Sequence, residues 1–361
     1  MSAEPAAPPD YLFVTPSLAV SGGNLEIVRL ARELAAQGRA VRLCAMWAAD
    51  APVDTGGLPV ALLSAAGFDR RRALALAPAG LLAFRRRLAR GGGSPRVVFS
   101  HYATFPLAPA VPRDRRWFLV QDLEWTFARP GPYRAAVKRL VLAALRRGRV
   151  AAASAYLTDA LGVEGVEVAA PLPVWADPRY AAPRDGPRDL DAALVLRPGA
   201  HKRLDLAHAL VTRIAERHPG WRVAAITPDP ALAAPVAGRL ATLLVRPDLP
   251  AMRDLHARTR LHLLVSDHEG FGLPPLEAMG AGCVPLCRDA GGVRAYMAGA
   301  LAGNLLPRHA GVDALVDRAA ALLADPPRWR ALSAAAARVF DAGQAAQAGR
   351  LDAPAAAAFV A

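Results

Sequence analysis

Residues 266–282 read Ser266-Asp-His-Glu-Gly-Phe-Gly-Leu-Pro-Pro-Leu-Glu-Ala-Met-Gly-Ala-Gly282, and their place in the chain decides the fold. An apolar strand, Leu261–Val265, precedes the string, a short helix, Leu276–Gly280, lies within it, and a further strand, Val284–Cys287, follows it. Strand, turn, helix and strand in that order make the repeating unit of a parallel sheet. Gly270 and Gly272 let the backbone come close to a ligand, with amides of the kind that donate to it. Pro274 and Pro275 suit the first turn of a helix, where no amide hydrogen bond is lost. A helix start offers unpaired N–H groups to a phosphate, and ligands of open α/β sheets bind at this carboxyl edge. Glu269 and Glu277 frame the turn, and a carboxylate is a good acceptor for the paired hydroxyls of a ribose or hexose. Two glutamates alone would read as a loop acid and a surface helix residue; the whole string weighs against that.

The same alternation extends outward in both directions. The chain opens with a strand, Tyr11–Thr15, a glycine loop, Ser21-Gly22-Gly23, and a helix. Ile27, Val28, Ala31, Leu34 and Ala35 form the apolar face of that helix, and Gly38 supplies its stop. Strands are then expected at Ala40–Met46, Arg96–Ser100, Trp117–Gln121 and Val150–Ala153. A stretch rich in Pro, Asp and Gly, Pro171 to Asp191, reads as a linker. Strands restart at Ala193–Leu196 and Trp221–Ile226 around a helix, Leu204–Glu216. From Asp313 the chain looks helical and ends in an alanine-rich tail. The expected organisation is one doubly wound Rossmann-like domain over 1–172, a second over 173–335, and a helix and tail, 336–361, free to return to the first.

Composition agrees with a two-domain globular chain. The 361 residues are 53% hydrophobic and 21% charged, more apolar material than one core usually holds. The start, MSAEPAAPPD, lacks the basic and apolar regions of a signal peptide. The longest mostly apolar run, Ala73 to Phe84, is far short of the ~20 residues that cross a bilayer. Cys44, Cys283 and Cys287 show no CxxC spacing and read as buried thiols in a reducing compartment, with no metal site. A cytoplasmic protein, soluble or peripheral on the inner membrane face, is the expectation. The net charge of +13 is uneven, with 22 Lys and Arg against 13 Asp and Glu in residues 1–170. A basic first half suits an anionic partner, and equally follows from an arginine-rich composition. Arg has displaced nearly every Lys: only Lys138 and Lys202 remain. Lys202 ends Arg197-Pro-Gly-Ala-His-Lys202, just after a strand, where its compact ammonium suits an anionic ligand and the plainer reading is a solvated strand-end charge pair. Nucleic acid is disfavoured because no recognition motif accompanies the basic residues.

The 266–282 string resembles the donor-site motif of the family 4 retaining glycosyltransferases, roughly E-G-F-G-L-P-x-L-E-A-M-A-x-G. Glu269 and Glu277 reproduce its two glutamates with seven residues between them. Val284-Pro285 and Asp289-Ala290-Gly291-Gly292-Val293 resemble the family's next strand and Gly-Gly loop. The resemblance implies a GT-B fold, two Rossmann-like α/β domains facing each other across a cleft, with the nucleotide-sugar donor in the second. It implies that Glu277 holds the ribose hydroxyls, that Glu269 lies against the donor sugar, and that backbone amides at Gly270, Phe271, Gly272 and Leu273 contact sugar or phosphates. Arg197 and Lys202 match the family's Arg and Lys in spacing, although Leu196 stands where the family has Gly. In the first domain, His101 resembles the family's cleft histidine, and Gly22 and Gly23 its first-strand glycine loop. Val120-Gln121-Asp122-Leu123-Glu124 resembles a stretch in members that build bacterial surface polysaccharides, including rhamnosyltransferases. Asp122 or Glu124 would there bind acceptor hydroxyls, or equally cap a strand end. Ser154 resembles the family's serine at a helix start, and N-capping explains it as well.

The function implied is transfer of a sugar from a nucleotide diphosphate sugar to a hydroxyl of a glycan, lipid-linked or small-molecule acceptor. The resemblance implies retention of configuration and no required metal or other cofactor. The helix Tyr133–Arg147, with Val137, Leu140, Val141 and Leu145 on one face and basic residues elsewhere, offers a peripheral membrane contact or simply packs on its own sheet. Departures at Thr227-Pro228-Asp229, Arg246-Pro247-Asp248 and Ala295 bear on base preference. A sugar-nucleotide epimerase and a catalytically silent nucleotide- or glycan-binding partner are the alternatives.

Overall fold

The computed structural model describes residues 8–50, 52–64, 77–90, 93–127 and 129–360, so the front of the Ala73–Phe84 run lies outside the described residues. The chain divides into two compact units. The first comprises the described residues of Met1–Trp125, Pro132–Pro173 and Arg350–Ala361, and the second those of Thr126–Gly131 and Val174–Gly349.

The first unit is a parallel sheet of seven strands. They are β1 (Tyr11–Thr15), β2 (Val41–Ala45), β3 (Val60–Leu62), β4 (Arg96–Phe99), β5 (Arg116–Val120), β6 (Arg149–Ala152) and β7 (Ala170–Pro171), in the order β3-β2-β1-β4-β5-β6-β7. Aromatic and branched side chains fill β1 and β5, whose residues are all buried, as a sheet covered on both faces requires. The helix Gly22–Ala36 buries Ile27, Val28, Leu30, Ala31 and Leu34 against this sheet. Gly22 and Gly23, expected in a loop, form its first turn instead, because the Ser21 hydroxyl caps the helix by accepting from the Asn24 amide at 3.2 Å.

The tail completes this core. Phe359 is fully buried against Trp117, ring centroids 5.0 Å apart, and its carbonyl accepts from the Tyr11 hydroxyl at 2.7 Å. Arg350 enters as a buried cation: it donates to Glu33 at 2.7 and 3.1 Å, to Glu26, and to the Pro173 carbonyl at 3.2 Å. The helix Pro326–Ala348 belongs to the second unit, where Trp175 donates to the Phe340 carbonyl at 3.1 Å and Gln344 donates to the Ala176 carbonyl at 2.9 Å. The segment set apart at Ala336 by the sequence therefore changes unit at Arg350.

The basic helix is Pro132–Leu145, and its buried face differs from the expected one. Val141, Leu142 and Leu145 are buried, whereas Val137 is half-buried and Leu140 is 73% exposed. Lys138, on this face, leans back onto Glu164, at 2.6 Å, and over the Trp125 ring. No helix among the described residues is long and apolar enough to cross a membrane.

The second unit is a parallel sheet of six strands: β8 (Leu190–Val195), β9 (Val223–Thr227), β10 (Thr242–Val245), β11 (Thr259–Leu264), β12 (Val284–Arg288) and β13 (Leu305–Leu306). Their order is β10-β9-β8-β11-β12-β13, the doubly wound Rossmann order. Both sheets thus reverse direction beside their first strand, between β1 and β4 and between β8 and β11. Those reversals are where ligands bind in such sheets, outside the carboxyl ends of the strands.

Candidate active site

Two loops leave the carboxyl ends of the adjacent strands β8 and β11 and carry the second unit's charged groups. After β8, Gly199 at φ 122° bends the chain, and a short 3-10 turn, Ala200–Lys202, brings the lysine inward. After β11 the chain runs through Ser266 to Glu269. The Lys202 Nζ donates to Glu269 Oε2 at 2.7 Å, and Glu269 is 8% exposed. A nearly buried carboxylate holding an ammonium is a preorganised charge pair rather than a solvated surface contact. Arg197, in contrast, is exposed.

The turn that follows is built on the loop after β12. The Glu269 amide donates to the Ala290 carbonyl at 2.8 Å, and the Gly292 amide donates to the Glu269 carbonyl at 3.0 Å. Gly272 takes the left-handed conformation, φ 86°, and opens the helix Leu273–Met279, with its carbonyl accepting from the Tyr296 hydroxyl at 2.5 Å. Phe271 is buried edge-on to Trp175 and tilted against Tyr296, so only its backbone is left for outward chemistry. Gly270 is buried and Leu273 half-buried at the helix start. The helix begins at Leu273, three residues earlier than the sequence suggests, because Pro274 and Pro275 both fit its first turn.

Glu277, one turn in, is half-buried and shares a hydrogen bond with the Tyr180 hydroxyl. Burial pushes its carboxyl up to about 7; the Arg197 charge and the Tyr180 bond pull it down, while Asp177 pushes it up. A carboxyl poised near neutrality beside a helix start at a sheet's carboxyl edge marks a candidate functional site. Tyr180 sits in the stretch read as a linker and has no local motif, which is why sequence reasoning missed it. Tyr296 was missed for a similar reason: its role is a contact with a turn some 20 residues away.

The first unit's candidates also gather at a carboxyl edge. Gly23 follows β1, and a β-carbon on it would meet the Gln121 side chain at 3.4 Å. His101 follows β4; its Nδ1 accepts from the Ala103 amide at 3.1 Å, and its Nε2 lies 3.7 Å from Glu124 Oε1. Burial lowers the imidazole to about 4, so the ring is neutral near pH 7. Glu124 accepts from the Tyr102 amide at 2.5 Å, and burial raises its carboxyl well above the usual range. His101 and Glu124 therefore form one unit, an imidazole backed by a carboxyl. Asp122 accepts from the Leu123 amide at 2.8 Å, a turn contact at the end of β5. Ser154 caps its helix by accepting from the Leu157 amide at 3.2 Å. Cys44, Cys283 and Cys287 are free and buried, and among the described residues no three His, Cys, Asp or Glu side chains cluster as a metal site.

Two doubly wound parallel sheets of this order define the GT-B class of fold. Residues 243–339 match the family model described as Glycosyl transferases group 1. The chain resembles the sucrose-phosphate synthase of Thermosynechococcus elongatus with a TM-score of 0.77 at 16% identity, over 95% of this chain and 97% of that one. It resembles WaaG, a glycosyltransferase involved in lipopolysaccharide biosynthesis, with a TM-score of 0.69 at 15% identity, over 92% and 95% of the two chains. Anabaena Alr3699/HepE, solved in complex with UDP and glucose, gives a TM-score of 0.69 at 16% identity over 92% and 95%. A 45-residue segment is 47% identical to a viral protein named "Putative glycosyltransferase 41" from Sulfolobus islandicus filamentous virus (isolate Iceland/Hveragerdi). That segment covers 12% of this chain and 14% of the viral protein. The matched domain lies in the second unit and includes Glu269, Glu277 and the loop of Gly292.

Proposed function

We propose that the chain is a retaining glycosyltransferase of the family 4 type, moving a hexosyl or deoxyhexosyl group from a nucleotide diphosphate sugar to an acceptor hydroxyl. One observation carries the reading: Lys202 and Glu269 meet at 2.7 Å where β8 and β11 end, with Glu277 one helical turn beyond. Arg197 and Lys202 supply positive charge to the diphosphate as it departs. Glu277 accepts from ribose hydroxyls, and Glu269 orients the donor sugar. Backbone amides of Gly270, Phe271, Gly272 and Leu273 contact the sugar and phosphates. Gly22 and Gly23 are donor-binding, neutral His101 orients the donor sugar, and Asp122 and Glu124 accept from acceptor hydroxyls. The acceptor is a glycan, lipid-linked or small-molecule hydroxyl in bacterial surface polysaccharide or glycoconjugate synthesis, with the chain working in the cytoplasm or peripherally on the inner membrane face. No metal takes part in this reading.

A thermal-shift panel of nucleotides and nucleotide sugars tests it. A selective rise with one nucleoside diphosphate, and with a matching sugar nucleotide, is expected. Transfer of that sugar with the anomeric configuration kept completes the test, and absence of any shift across the panel, with and without acceptor sugars, rejects it.

A further inference from the structure

Lys202 and Glu269 stand on different loops, so their contact depends on how the loops are held together. A second row of charge lies just behind it. Asp267, two residues before Glu269, receives Arg203 Nη1 at 3.2 Å on each of its oxygens and Arg288 Nη1 at 2.9 Å. The Asp267 amide donates to the His201 carbonyl at 2.8 Å. Arg288, on β12 and only 3% exposed, also donates to the Val265 carbonyl at 2.7 Å and to the Arg308 carbonyl. One carboxylate thus joins the loop after β8, the loop after β11 and the end of β12.

The backbone adds an independent observation. Arg203, immediately after Lys202, sits at φ 52° and ψ 53°, in the left-handed region that glycine occupies without strain. Among the described residues only Arg203 and Arg246 are non-glycines with positive φ. A side chain kept in a strained position needs a use, and the Arg203 guanidinium has one: it spans Asp205 and Asp267. Stability alone is a poor account of it, because Asp205 and Asp267 are 69% and 38% exposed in these pairs, where ion pairs contribute little.

We infer that Arg203, Asp267 and Arg288 form a positioning bridge that sets Lys202 against Glu269. None of the three is a catalytic residue. The consequence for turnover rests on the proposed glycosyl transfer, whereas the consequence for Lys202 does not.

The chain has only two lysines, so protein labelled with ε-13C-lysine gives two side-chain signals, Lys138 and Lys202. Arg203→Gly removes the bridge while relieving the backbone, and Asp267→Asn keeps the shape and removes the charge. In both variants the Lys202 signal is expected to shift and the Lys138 signal to stay, with Tm close to that of the unaltered protein in Arg203→Gly and lowered in Asp267→Asn, where the buried Arg288 loses its carboxylate. Turnover should fall by about tenfold or more with donor KM changed less, since small misplacements of a catalytic group are costly. The double variant should be no worse than the poorer single one, because the two changes break one bridge. An unmoved Lys202 signal in both variants overturns the bridge. A moved signal with full turnover overturns its functional role. If the unaltered protein neither binds nucleotides nor transfers sugar, glycosyl transfer fails instead, and the Lys202 signal still decides the bridge.

Discussion

Gly292 lies so close to Gly270 that a β-carbon on it would stand 2.5 Å from the Gly270 carbonyl carbon and oxygen and from the Phe271 Cα. All three atoms are backbone, so no side chain can swing aside. The Gly-Gly loop after β12 is the bed on which the Glu269–Gly272 turn rests.

Replacing Gly292 by Ala should therefore displace that turn. Overpacking of this kind costs about 1–3 kcal/mol of stability, and on the proposed function nucleotide diphosphate affinity should fall about tenfold or more. Gly311→Ala is the control, because an added methyl there meets nothing within 4 Å. Calorimetric titration of both variants decides the matter, and unchanged affinity in Gly292→Ala would show that the turn does not hold the nucleotide.

Glu277 gives a pH signature. Its carboxyl is held near 7 chiefly by burial, against the opposing pull of Arg197. The ionised form accepts hydroxyl bonds, so affinity for the nucleotide should rise as pH passes upward through 7. In Glu277→Gln the amide does not titrate, while the phosphates of the ligand titrate equally in both proteins. The ratio of wild-type to Glu277→Gln affinity isolates the carboxyl. It should grow by up to about tenfold between pH 6 and pH 8, the change in ionised fraction of a group titrating near 7. A ratio that is constant across that interval would remove Glu277 from nucleotide binding.

The parts of the fold legible in the sequence were those dictated by burial. Strands β1, β4, β5, β8, β9, β11 and β12 lie inside their sheets, and their apolar runs stand out. The strands β3, β7, β10 and β13, which went unread, are the sheet edges. Val60 and Leu62 of β3 are 45% and 44% exposed, and β10 is only partly covered, so neither needs a continuous apolar run. The Glu269–Gly272 turn and its helix were legible because their glycines, prolines and glutamates are local in sequence. The Asp267 bridge was not, since its ion pairs join residues 64 and 21 apart and leave no periodic trace. His101 was legible from its place after a strand, whereas the Glu124 behind it read equally as a ligand for acceptor or a capping acid.

The last prediction concerns two histidines that lie away from the Glu269–Gly272 turn. His256 and His262 are fully buried in the second unit, ring centroids 5.7 Å apart, and none of their four ring nitrogens has a hydrogen-bond partner. Burial lowers His256 to about 4, and burial together with the neighbouring His256 holds His262 well below the usual range. Both are therefore folded in the neutral form, while the unfolded chain takes up protons near 6.5. Between those values the unfolded state binds more protons, so stability is complete above pH 6.5 and falls as pH drops toward 4. His256 alone contributes about 3 kcal/mol over that window, since each pH unit between its folded and unfolded values is worth about 1.36 kcal/mol. Carboxylates elsewhere also lose their partners in acid, so the comparison must be with a variant. His256→Leu removes one titrating ring at similar volume, and its urea midpoint should decline less steeply than wild type from pH 7 to pH 4.5. Parallel declines of the two midpoints would mean that the buried pair is not what acid attacks first.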